Sequence, residues 1–145
     1  MAGLRLGDVT AAAITALNAD TSITTALGGS KSYANVPEET QPPYVFLVGG
    51  AEVPWVESFS ASGDDGGRQV DVIAEVWSKA FGTKEVDAIS NLVLTRLTTE
   101  STWRPSVTGY AGMHFVGTSP IQKYQVDGTM WVMRTTTVQL YLSHA

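Results

Sequence analysis

Hydrophobic residues recur along this chain with two periods, and the changes of period mark its elements. In DVTAAAITALNAD, Val9, Ala13 and Leu17 fall at i, i+4 and i+8, one stripe of a helix. Asp8 stands ahead of the stripe as a candidate N-cap. Asp20 can cap a second short turn, TSITTALGG, in which Ile23 and Leu27 share a side and Gly28 stops the helix. Pro37, Pro42 and Pro43 then hold the chain extended, so YANVPEETQPPYVFLVGG reads as a stiff entry into a strand at Tyr44–Val48. In RQVDVIAEVWS the period drops to two. Val70, Val72, Ala74 and Val76 face one way, and Asp71, Ile73, Glu75 and Trp77 the other. GTKEVDAISNLVLTRL returns to the helical period from about Thr83, with Val86, Ile89, Val93 and Leu97 on one side.

The last third is rich in strand signals. Residues 109–118 alternate loosely between glycines. Asp127-Gly128 suits a two-residue turn that needs positive φ at both positions, joining SPIQKYQV to the strand TMWVMRTTTVQLYLS. On that strand Met130, Val132, Val138, Leu140 and Leu142 share a face with Arg134 and Thr136, which interrupt it. Arg134 has two readings: it lies at a sheet edge or snorkels, or it pairs with an acidic group on a neighbouring subunit. Between the first two strands, residues 50–67 (GAEVPWVESFSASGDDGG) read as a long loop. Its Trp55 and Phe59 either tuck back onto the core or dock a partner protein, since aromatics are enriched at interfaces. The expected fold is α+β: a mostly antiparallel sheet, two main helices packed on one face, a long loop insertion and a C-terminal β-hairpin. At 145 residues the chain is read as a single domain, 1–145.

Composition narrows the chemistry. The chain has no cysteine, which excludes disulfides, thiolate metal sites and a cysteine nucleophile. A net charge of −5 argues against a surface built to grip nucleic acid, while leaving room for a protein past which nucleic acid slides. No apolar run is long enough to span a bilayer, and AAAITAL, preceded by Asp8, does not read as a signal peptide. ALGGSKS resembles a phosphate loop but has Ser30 directly before Lys31, Thr25 where the first glycine should stand, and a helix-like segment instead of a strand ahead of it. His114 and His144 form no metal-ligand spacing. Asp64 and Asp65 in GDDGG lack the alternating ligands of a calcium loop and read as a solvated loop. No nucleophile elbow appears. No catalytic residue, cofactor site or metal site is expected.

The segments together resemble the tail-completion, or tail terminator, proteins of long-tailed bacteriophages. AAAITALNAD and SITTALGG are followed by Tyr33-Ala34-Asn35-Val36-Pro37 and Pro42-Pro43-Tyr44-Val45, similar to the family's VP element and PY strand. VDVIAEVWSKAFGTKEVDAISNLVL resembles its strand–Trp-Ser–Gly–helix unit, and Asp127-Gly128 leads into a strand with Trp131 and Arg134. The loop at 50–67 matches no family pattern. The resemblance implies a non-enzymatic virion protein at the head–tail junction, assembled in the host cytoplasm. It implies a homo-oligomeric ring, typically of six, that caps the tail tube, ends its polymerisation and meets the head–neck connector proteins. Double-stranded DNA would pass through the lumen without specific binding, and no membrane is involved. A head-side joining protein of similar fold, or an unrelated ligand-binding domain, are the competing readings. The candidate interface residues are Trp55, Phe59, Asp64, Asp65 and Arg134.

Overall fold

The computed structural model describes residues 5–55, 67–79, 83–99, 103, 107 and 109–143. Among these the element order is α1 (Leu6–Ala19), α2 (Thr21–Leu27), β1 (Ser32–Tyr33), β2 (Tyr44–Trp55), β3 (Gly67–Ser78), α3 (Lys84–Thr98), β4 (Tyr110–Thr118), β5 (Gln122–Val126) and β6 (Thr129–Leu142). The strands form one sheet in the order β1-β2-β3-β6-β4, with β5 also paired to β6. Every pairing is antiparallel except the short parallel contact of β1 with β2. This is the α+β architecture expected from the sequence.

Alternation decides which face is covered. Val70, Val72, Ala74 and Val76 of β3 are buried, together with Val45 and Leu47 of β2 and Val132, Val138, Leu140 and Leu142 of β6. They meet the helical stripes Val9, Ala13 and Leu17, then Ile23 and Leu27, then Val86, Ile89, Val93 and Leu97. Trp103 closes the end of this core and donates its indole N–H to the carbonyl of Leu97 at 3.0 Å.

The helix boundaries follow local chemistry. Asp20 caps α2 by accepting from the Ile23 N–H at 3.1 Å, and Gly28 ends it at φ 81°. The start of α1 differs from the sequence expectation. Asp8 lies inside the first turn, Arg5 holds the N-cap position, and no local side chain caps it. The cap comes from the sheet instead. Glu52 on β2 accepts from the Arg5 N–H at 2.8 and 2.9 Å and from the Leu6 N–H at 2.7 Å. Its side chain is only 6% exposed, and Arg68 on β3 lies 3.6 Å away. A negative charge here satisfies orphan amides and meets the positive end of the helix dipole.

A second difference concerns the stretch 50–67. The strand β2 runs on to Trp55, so residues 50–55 are ladder, with Glu52 paired to Val70 and Trp55 to Gly67. The sequence reads as a loop there because Gly49 and Gly50 break the alternation. They do so at a β-bulge, where the register shifts between Gly49 and Glu52. A Cβ on Gly50 would lie 2.6 Å from the Asp71 carbonyl oxygen, so only glycine allows this approach.

Removing the Glu52 carboxylate should leave the start of α1 without its cap. Glu52→Ala is expected to cost about 3 kcal/mol, the scale for deleting a buried charged hydrogen-bond acceptor, and Glu52→Gln less. Urea unfolding would read this as a lowered midpoint at unchanged slope. A midpoint equal to wild type for Glu52→Ala would remove the cap from the account.

Candidate functional site

The C-terminal hairpin is built by the turn expected from the sequence. Asp127 and Gly128 take φ 50° and 78°, and β5 pairs with the first part of β6 from Gln122↔Met133 to Val126↔Thr129. The strand β3 ends opposite Val132, so residues 124–131 extend past the main sheet as a two-stranded arm. Tyr124 and Met130 on this arm are 41% and 42% exposed.

The arm is braced at its base. On the sheet face that carries no described helix, Tyr33, Tyr44 and Trp77 form a row, with ring centroids 6.4 and 6.2 Å apart. Trp77 meets Tyr124 at 5.4 Å and Trp131 edge-on at 6.2 Å. Such contacts add to the burial of the rings themselves, and they join five strands. The Trp77 indole donates to Glu75 Oε1 at 3.0 Å. Burial, and then the Glu75 carboxylate, push the Tyr44 phenol above its ordinary value of 10.0.

Where the ladder on β6 passes from β4 to β5, Ser119 is held three ways. Its N–H donates to the Thr135 carbonyl at 2.9 Å, its hydroxyl accepts from the Thr135 N–H at 3.0 Å, and its carbonyl accepts from Arg134 Nε at 3.0 Å. Arg134 also donates through Nη1 to Asp87 Oδ1 at 2.6 Å. Asp87 and Glu85 both lie in the first turn of α3, and Glu85 accepts from the Ser78 hydroxyl at 2.6 Å. These contacts tie the start of α3 to β3 and β6, and they explain why Arg134 interrupts the apolar face.

Of the five candidate interface residues the structure places two, the backbone of Trp55 and Arg134, and these lie apart. Trp55 ends β2 opposite Gly67, while Arg134 sits opposite Val76, nine positions away along β3. At about 3.3 Å per residue this is roughly 30 Å. Phe59, Asp64 and Asp65, and the side chain of Trp55, lie outside what the structure describes. The strand β6 has neighbours on both sides, so Arg134 is not at an edge, and its ion pair is made within the chain. Sequence reasoning missed the aromatic row, although alternation had already placed Trp77 on the outward face. It also missed the exposed pair Phe115 and Val116, 42% and 51% exposed, at a bulge in β4. Their signal was an apolar pair beside Gly117.

Among the described residues there is no cluster of three or more potential metal ligands and no helix long and apolar enough to cross a membrane. A groove of about 380 Å³ lies between α1 and β2, lined largely by apolar groups including Leu6, Ala11, Ile14 and Leu47. Among the described residues the sheet is open, with β2 paired beyond β3 only by the short β1 at one side, β4 and β5 at the other, and the braced arm beyond.

The comparisons make the class specific. The family model for tail completion protein gp17 matches residues 11–108, and the chain belongs to that family. It is a structural protein of the phage tail, located in the virion. Among solved structures, a chain of "Virion of native gene transfer agent (GTA) particle" is similar at a TM-score of 0.65 and 16% identity, over 97% of this chain and 99% of that one. That likeness is one of fold, and it takes in the C-terminal strands that the family match leaves out. No curated protein matches the sequence.

The Tyr44 phenol gives a pH test of the aromatic row. With its pKa raised in the folded state, folding keeps the proton on, so stability is intact below about pH 10 and falls as pH rises through the folded value. Tyr44→Phe should show a shallower alkaline loss than wild type in thermal melts across that range. Equal slopes would mean that the phenol is not perturbed in the fold.

Proposed function

We propose that the protein forms a ring, of six subunits, that caps the tail tube, ends its polymerisation and joins the tail to the head–neck connector proteins. The observation that carries this reading is the open sheet. Among the described residues its two edges belong to different strands, β2 beyond the short β1 at one end and β4 with β5 at the other. Unlike edges suit head-to-tail contacts, and head-to-tail contacts close into rings when the rotation between copies allows. Family membership supports the tail location, and the virion title of the similar chain is consistent with a particle component.

Size and charge suit the same reading. A compact chain of this length has a radius of gyration of roughly 15 Å, and six such bodies in a ring leave space for a DNA duplex. A subunit charge of −5 makes an acidic ring, which repels phosphate and lets DNA pass without holding it. In this reading Trp55 and Phe59, with Asp64 and Asp65 between the strands, meet tube or neck. Arg134 contributes by fixing the joint from which β5 departs.

Light scattering of the purified protein, with and without tail-tube protein, tests the ring. A six-fold mass alone or on adding tube is the expected result, and a monomer indifferent to tube would refute it. Trp55→Ala and Phe59→Ala should weaken joining to tube or neck and leave the monomer folded. Normal joining by both would take these residues out of the interface. Reversing acidic residues that face the lumen should slow DNA ejection, whereas an unchanged rate would count against electrostatic passage.

A further inference from the structure

The ladder registers carry an inference about how copies meet, and it rests on the ring reading. Gly49 of β2 pairs with Val72, Val72 with Val138, and Val138 with Phe115 of β4. Residues directly opposite in a ladder point to the same face. Phe115 therefore stands on the helix-bearing face, level with Gly49, at the opposite edge of the sheet. Gly49 has no side chain, and it lines the groove between α1 and β2 together with Leu47, Ala11 and Ile14.

Strand direction agrees. The strands β2, β3, β6 and β4 alternate in direction, so a second copy in the same orientation would lay its β4 antiparallel to β2, continuing the pattern of the sheet. Level and face then bring Phe115 of one copy to the gap at Gly49 of the next. Charge permits it: beside the β2 edge Glu38 and Glu39 are exposed, with Lys31 donating its ammonium to the Gln41 carbonyl, and Tyr110–Val126 at the other edge holds Lys123 and no carboxylate before Asp127.

We propose that the occupant of this groove is a second copy of the chain: β4 of one subunit pairs with the edge of β2 beyond β1 in the next, an edge that no described strand covers, and Phe115 fills the α1–β2 groove. Every subunit offers one knob and one hole, so the contact is heterologous. The neighbouring Val116, exposed at the bulge, lies beside the same junction.

Two variants test it, one on each side. Phe115→Asp spoils the knob, and Ala11→Glu, on the exposed face of α1, spoils the hole. Each alone should give monomers at concentrations where wild type forms rings, with a melting temperature close to wild type. An equimolar mixture should give dimers and nothing larger in native mass spectrometry, because one sound knob then meets one sound hole. Rings from either variant would overturn the edge contact while leaving the ring itself standing, and so would a mixture that stays monomeric. Rings that form normally in the Phe115→Asp protein but no longer join tail-tube protein would assign the knob to a tube contact and overturn the proposal. A wild type that never forms rings, with or without tube, would overturn the ring reading and this contact together.

Discussion

The fold depends on a carboxylate placed where a strand bends toward a helix. Glu52 leaves β2 just after the bulge at Gly49 and Gly50 and meets the first amides of α1. An isolated helix start carries unsatisfied N–H groups, and α1 has no local residue that serves them. The sheet supplies the missing acceptor, and Arg68 on the next strand supplies a balancing charge for a side chain nearly out of water. The bulge is what aims Glu52. Without the extra residue the strand would keep strict alternation, and Gly50 could not approach Asp71 so closely. One local irregularity thus fixes the helix layer on the sheet layer.

At the far side of the core α3 is tied down with the roles exchanged. There the helix brings the acids, Glu85 and Asp87 in its first turn, and the sheet brings the donors, Ser78 and Arg134. First-turn acids also suit the dipole of their own helix. Asp87 and Arg134 keep some exposure, so their pair adds less to stability than its short distance suggests. Its consequence is positional. Arg134 holds the Ser119 carbonyl, and Ser119 is where the chain turns from β4 into β5. The braced arm is aimed by a contact that begins on a helix. With α1 and α3 pinned on one face, the other face carries no described helix and instead holds the aromatic row.

Much of this was legible in the residues, and what was not has a physical reason. Val70 to Val76 alternated without interruption and gave a strand with its buried face correct. The α3 stripe from Val86 to Leu97 and the Asp127-Gly128 turn were also readable, because each rests on chemistry within a few residues. Asp8 misled because a capping residue is recognised by sequence neighbourhood, whereas the true cap, Glu52, is 47 positions from Arg5. The end of β2 was hidden because a bulge breaks the very alternation by which strands are read. The two-residue β1 offered no period at all. Of the candidate site, Arg134 was visible as an interruption, but its partner was not, since Asp87 stands 47 positions away along the chain. Phe115 escaped because a single exposed apolar residue is common on protein surfaces; only the register across four strands sets it level with a gap.

A protein that must assemble yet stay soluble beforehand faces the general hazard of open strands, which pair with any other open strand. Here both edges are irregular. The strand β2 bulges between Gly49 and Glu52 and is partly covered by β1, while β4 shifts register between Tyr110 and Gly112 and again between Phe115 and Gly117. Bulges bend a strand and increase its twist, so neither edge offers the long flat ladder that promiscuous pairing needs. An irregular edge can still fit a partner whose irregularities match it in position. The bulge that exposes Phe115 and the bulge that bares Gly49 lie on one row of the sheet. The device that discourages unspecific pairing is then the same one that would make pairing between copies specific. The added twist also favours a rotation between neighbours, which a closed ring requires and a straight stack does not.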